Sequence, residues 1–82
     1  MKEIMKKIHE DPLIDVMKVS RKIKALRIQR GYPTVESFTR ENGLPRSLYL
    51  RFEKGNDLKL SSLVKIIRAF NMTFAEFFRD FD

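Results

Sequence analysis

Gly43 and Gly55 bracket the stretch that most constrains this chain, Leu44-Pro45-Arg46-Ser47-Leu48-Tyr49-Leu50-Arg51-Phe52-Glu53-Lys54. Each glycine frees the backbone for the left-handed angles that close a helix, so a helix does not easily pass either one. Between them is room for about two and a half helical turns. Pro45 suits the first turn, where its missing N–H would have no partner anyway. At about 100° per residue, Leu48, Tyr49 and Phe52 gather on one side, and Arg46, Ser47, Leu50, Arg51 and Lys54 on the other. One face is made to be buried. The other carries three cations, as suits a helix held by a small core and pressed against something anionic.

The rest of the chain must supply that core from 82 residues, enough for one domain. A chain so short buries only about 60% of its unfolded surface, so every apolar residue is needed. There is no cysteine, which removes disulfide staples and thiolate metal sites and points to a reducing compartment. No apolar run approaches the roughly 20 residues of a membrane span, and the N-terminus has charges where a signal peptide needs an apolar region. The expected setting is soluble and cytoplasmic. Charge is unevenly placed. Residues 1–17 hold three Lys against Glu3, Glu10, Asp11 and Asp15, a net of −1. Residues 18–59 hold eleven Lys or Arg against Glu36, Glu41, Glu53 and Asp57, a net of +7, and residues 60–82 balance. Solvated surface accounts for many lysines, but an excess confined to the segment with the two-faced helix favours a polyanionic partner.

Along the chain, Met1, Ile4, Met5 and Ile8 share a helical stripe opposite Lys2, Lys6 and Lys7, and Asp11-Pro12 ends it. Residues 1–17 thus read as an N-terminal helical extension, and residues 18–82 as the main domain. A second helix starts at Leu13 or Lys18 and runs to Arg30 with Val19, Ile23 and Leu26 inward, stopped by Gly31. After the Tyr32-Pro33 turn, Thr34 caps a short helix from Val35 to Glu41 with Phe38 inward, closed by Asn42-Gly43. Two short helices joined by so tight a turn are expected to cross steeply as a helix-turn-helix. Ser61 or Ser62 is expected to cap the next helix, which carries Leu63, Val64, Ile66, Ile67 and Phe70 and ends at Asn71. Thr73 and Glu76 have the spacing of a capping box, opening a last helix with Phe74, Phe77, Phe78 and Phe81. No stretch alternates with period two, so the fold class expected is all-α with five helices beyond the extension.

The ordered set Ile23-Lys24-Ala25-Leu26-Arg27, Gly31, the capped short helix, Gly43-Leu44, Phe52-Glu53-Lys54-Gly55, Ser62-Leu63 and Phe74 resembles the Cro/cI-type (XRE) helix-turn-helix domain of phage repressors and bacterial regulators. The resemblance covers residues 19 to about 79. It implies that helix 45–54 is a recognition helix in the major groove, with helix 34–41 across the backbone above it. It implies base reading by Arg46, Ser47 and Arg51, and arginine suits guanine because its fork can donate to O6 and N7 together. It also implies a structural ion pair between Arg27 and Glu53. Phosphate candidates are Arg21, Lys22, Lys24, Thr34, Arg40, Lys54, Asn56 and Lys59. Several positions depart from the family pattern: Val35 stands where a phosphate-holding glutamine is usual, Thr39 replaces a small alanine, Tyr32-Pro33 lengthens a turn, and Pro45 replaces a capping Ser or Thr. Leu50 stands mid-face where a polar residue is usual. It can meet a thymine methyl, or mark a face that reads protein.

For most of these residues a plainer role is available. Arg46 and Arg51 can be exposed surface cations, Ser47 a late helix cap, and each phosphate candidate a solvated side chain. Tyr49 and Phe52 could stack on single-stranded bases, but their spacing with Leu48 favours core packing. His9 is alone, so no metal site or catalytic dyad forms around it, and neither paired carboxylates nor a phosphate-cradling glycine loop is present. No enzyme, cofactor or small-molecule ligand is expected. The leading expectation is a sequence-specific double-stranded DNA-binding transcriptional regulator. The alternatives are a protein-interaction module and an antitoxin-like subunit on the same fold. Any homodimer is expected to use the N-terminal stripe and the C-terminal aromatics, with Phe74 and Phe78 filling the core and Phe77 and Phe81 in excess.

Overall fold

Four of the five helices among the described residues end the same way. In α1 (Leu13–Gln29), α2 (Val35–Asn42), α3 (Arg46–Glu53) and α4 (Leu60–Ala69) the chain turns off through a residue with positive φ: Gly31, Gly43, Gly55 and Asn71 respectively. The amide of the residue after each of these reaches back inside the helix. Tyr32 donates to the Arg27 carbonyl at 3.1 Å, Leu44 to Thr39 at 2.9 Å, Asn56 to Arg51 at 3.0 Å and Met72 to Ile67 at 3.4 Å. These bonds satisfy carbonyls that a helix end otherwise leaves without partners. The computed structural model describes residues 11–57 and 59–81, and over these the protein is all-helical, closing with α5 (Phe74–Phe78). The helix expected over residues 1–9 lies outside the described residues.

The helix beginnings differ from one another. Thr34 accepts the Ser37 amide at 3.1 Å to open α2. Thr73 and Glu76 make a reciprocal capping box for α5, at 2.8 and 3.1 Å. Its backbone bond to Thr73 holds the Glu76 carboxyl below the usual range. The Asp11 carboxylate accepts the Leu13 amide at 3.0 Å, so Asp11-Pro12 opens α1 rather than merely ending the segment before it. The long first helix therefore begins at Leu13. At α4 the expected serine cap is absent: the helix starts at Leu60 after Lys59, with no side-chain cap, and Ser61 and Ser62 lie inside the first turn. Exposed first-turn amides can bond water instead.

Phe38 sits at the centre of the core, fully buried, with its ring 5.2 Å from Tyr32, 5.0 Å from Tyr49 and 4.7 Å from Phe70. Ile23 and Leu26 from α1, Phe52 from α3, and Leu63, Ile66 and Ile67 from α4 close around it, and Phe77 from α5 completes the cluster. Thr39, buried beside Phe38, donates its hydroxyl to the Val35 carbonyl at 2.9 Å, which is how a polar residue is tolerated there. The terminal aromatics divide differently from expectation. Phe77 is fully buried, whereas Phe74 is 48% exposed. A five-residue helix takes its rotation from what it packs on: α5 lies against α4 with Phe77 in the core cluster, and Lys22 of α1 holds the C-terminal segment from the other side. The Lys22 ammonium donates to the Phe77 carbonyl, lies 5.0 Å from the Phe77 ring and 5.2 Å from Phe81, and stands 3.9 Å from the Asp80 carboxylate. No helix among the described residues is long and apolar enough to cross a membrane.

Candidate nucleic-acid interface

The back of α3 is fastened by a buried polar lock. Arg27, near the end of α1, donates from Nε to Glu53 Oε2 at 2.7 Å and from Nη2 to Oε1 at 3.3 Å. Its Nη1 reaches the Tyr32 carbonyl at 2.8 Å, and the Tyr49 hydroxyl donates to the same Glu53 carboxylate. The two charged side chains are only 6% and 7% exposed. Such a pair needs every polar atom satisfied, and no buried side-chain nitrogen or oxygen among the described residues lacks a partner. The bond to Glu53 raises the Arg27 pKa against the opposing effect of burial, and burial followed by the Glu53 bond pushes the Tyr49 phenol upward. Both side chains stay in the protonation states the lock requires. Together with buried Phe52, it orients α3 about its own axis.

The orientation leaves Arg46, Ser47, Arg51 and Lys54 exposed, with Leu50 half-buried between them. Arg51 has no salt-bridge partner among the described residues. Arg46, the first residue of α3, is tied: its Nε meets Glu36 Oε2 at 2.8 Å, with the two side chains 54% and 53% exposed. Glu36 stands in the first turn of α2, so the pair spans the two helix starts. Its carboxyl is held below the usual range, first by its own backbone amide and then by Arg46.

No family model, curated protein or solved structure matches the chain. The placement of each side chain therefore has to carry the functional reading.

The phosphate candidates separate into groups. Arg21 and Lys24 are exposed three residues apart on α1, Arg40 is exposed in the last turn of α2, and Lys54, Asn56 and Lys59 are exposed around the α3–α4 connection. Thr34 is exposed but spends its hydroxyl on α2, accepting the Ser37 amide and donating to Ser37 Oγ at 3.1 Å. Lys22 lies apart from the rest, committed to the C-terminal aromatics. Among the described residues, no three His, Asp or Glu side chains converge as a metal site. Sequence reasoning passed over Glu36. Its only signal is an acid in the first turn of one short helix and an arginine at the start of the next, ten positions later, which the intervening turn must fold together.

Proposed function

We propose that the protein binds double-stranded DNA sequence-specifically, as a transcriptional regulator that seats α3 in the major groove. The observation that carries this reading is the division of α3, with Tyr49 and Phe52 buried and Arg46, Ser47, Arg51 and Lys54 exposed, inside a segment of net charge +7. A major groove roughly 12 Å wide admits one helix of about 10–12 Å diameter. In this reading α2 and α3 form a phage-repressor-like helix-turn-helix, as the resemblance to the Cro/cI-type family implies. Arg46 and Arg51 read guanine, Ser47 reads a neighbouring base, and Leu50 meets a thymine methyl. Arg21, Lys24, Arg40, Lys54, Asn56 and Lys59 supply the phosphate contacts. No cofactor takes part.

A symmetric dimer would match two half-sites about 34–36 Å apart. Among the described residues, exposed Phe74 on α5, Leu13, Ile14, Met17 and Ile28 on α1, and Leu60 on α4 are large apolar side chains that it could use. The same α1 residues, with Leu60 at 64% exposure, favour a second reading, a protein-interaction module or antitoxin-like subunit.

Mobility-shift titration with random duplex at two salt concentrations separates the readings. DNA binding that weakens steeply with salt is expected, with a slope near 0.9 per phosphate contacted. Affinity that stays flat as salt rises rejects the DNA reading. Arg46→Ala and Arg51→Ala should each cost about 1–3 kcal/mol and relax preference at one base pair. Unchanged preference in both variants would show that α3 presents a different face.

A further inference from the structure

The ion pair between α2 and α3 has a geometry suited to more than surface packing. Among the described residues, Arg46 is bonded through Nε alone, to Glu36 Oε2 at 2.8 Å. Its two Nη groups, the end of the guanidinium fork, make no bond within the protein among those residues. A carboxylate has about four acceptor sites, and this bond and the residue's own backbone amide leave about two. Both side chains are about half exposed, at 54% and 53%, on the same edge of the α2–α3 pair. The edge therefore presents a donor fork braced from behind, with an acceptor beside it.

We propose that Glu36 is a specificity-determining residue and that Glu36 and Arg46 read two neighbouring bases as one unit, resting on the DNA-binding reading above. Arg46 keeps its Nε on Glu36 and donates from its two Nη groups to guanine O6 and N7. Glu36 accepts from the N4 amino group of an adjacent cytosine. The chemistry selects these bases: guanine is the base with two major-groove acceptors side by side, and cytosine offers an amino donor to a carboxylate. Toward phosphates alone, Glu36 is a liability. A negative charge beside the DNA backbone weakens every duplex alike, so it improves binding only where a base edge supplies a donor. Bracing has a second effect. A guanidinium already fixed at Nε loses less rotamer freedom when its fork engages, which sharpens discrimination at the guanine.

The test is selection of bound duplexes from a random pool at one salt concentration, with wild type, Glu36→Gln and Glu36→Ala. Glu36 is exposed, so both variants should keep their helical circular dichroism. The wild-type consensus should contain a guanine next to a cytosine. Glu36→Gln should replace that cytosine by adenine, because an amide can pair with adenine N6 and N7. Glu36→Ala should erase the cytosine preference, a loss of roughly 5- to 100-fold in discrimination at that pair, and weaken the guanine beside it. The same consensus in all three proteins, with uniformly tighter binding by both variants, overturns the inference and leaves DNA binding intact. Wild type that retains no duplex overturns the underlying reading instead.

Discussion

Removing Glu53 should come close to unfolding the protein. Glu53→Ala leaves the Arg27 guanidinium, 6% exposed, with only the Tyr32 carbonyl as partner, and leaves the buried Tyr49 hydroxyl without an acceptor. Breaking a buried pair by deleting one member costs about 3–5 kcal/mol, because an uncompensated charge stays buried. A domain of 82 residues has a total stability of roughly 4–12 kcal/mol. At about 4–8 °C per kcal/mol for this size, the thermal midpoint should fall by roughly 12–40 °C. Urea and thermal unfolding followed by circular dichroism at the helix band measure it. The companion variant replaces the whole lock by apolar groups, Arg27→Met with Glu53→Leu and Tyr49→Phe. It should cost far less than Glu53→Ala alone, because it strands only the Tyr32 carbonyl. A loss below about 1 kcal/mol for Glu53→Ala would refute the reasoning, since it would mean that water reaches the pair and screens it. So would a triple variant at least as unstable as Glu53→Ala.

Four further outcomes are expected. Below about pH 10 folded and unfolded chains both keep the Tyr49 proton, and above it only the unfolded chain releases it, because burial and the Glu53 bond raise the folded pKa. Stability should therefore fall as pH climbs past that point, and urea midpoints of Tyr49→Phe should lose most of that slope. On the proposed DNA-binding reading, Lys24→Ala should reduce the salt slope of binding by about 0.9 with little change in thermal midpoint. Lys22→Met should do the reverse, lowering the midpoint by releasing α5 while the slope stays unchanged. Phe38→Ala should cost about 3–5 kcal/mol in urea titration, because Phe38 is fully buried among three aromatic rings.

Local chemistry made much of this fold readable in the sequence. Gly31, Gly43, Gly55 and Asn71 mark helix ends because few residues accept a positive φ, and Thr34 and the Thr73–Glu76 box mark beginnings because their bonds close within four residues. The rotation of α3 was legible for a related reason: 100° per residue separates Tyr49 and Phe52 from Arg46 and Arg51 whatever surrounds the helix. What escaped depends on partners distant in sequence. Which phenylalanine of α5 turns inward depends on the core built by earlier helices, and Lys22, which holds the Phe77 carbonyl, lies 55 positions before it. Lys22 and Lys24 look alike as letters, yet one is folded under α5 and the other is exposed, because two positions on a helix differ by about 200°. The start of α4 was missed because serine's capping preference is a tendency, and solvated amides do without it. In the candidate interface, the outward set on α3 followed from periodicity, whereas the Glu36–Arg46 contact needed the actual path of the turn.

Since the lock through Arg27, Glu53 and Tyr49 fastens α3 entirely from behind, the side chains on its front carry little of the folding energy. Positions 46, 47, 51 and 54 can then be rewritten together without threatening the scaffold. A library varied there should yield mostly soluble, cooperatively melting proteins, whose outer face differs from one to the next while the chassis stays as it is.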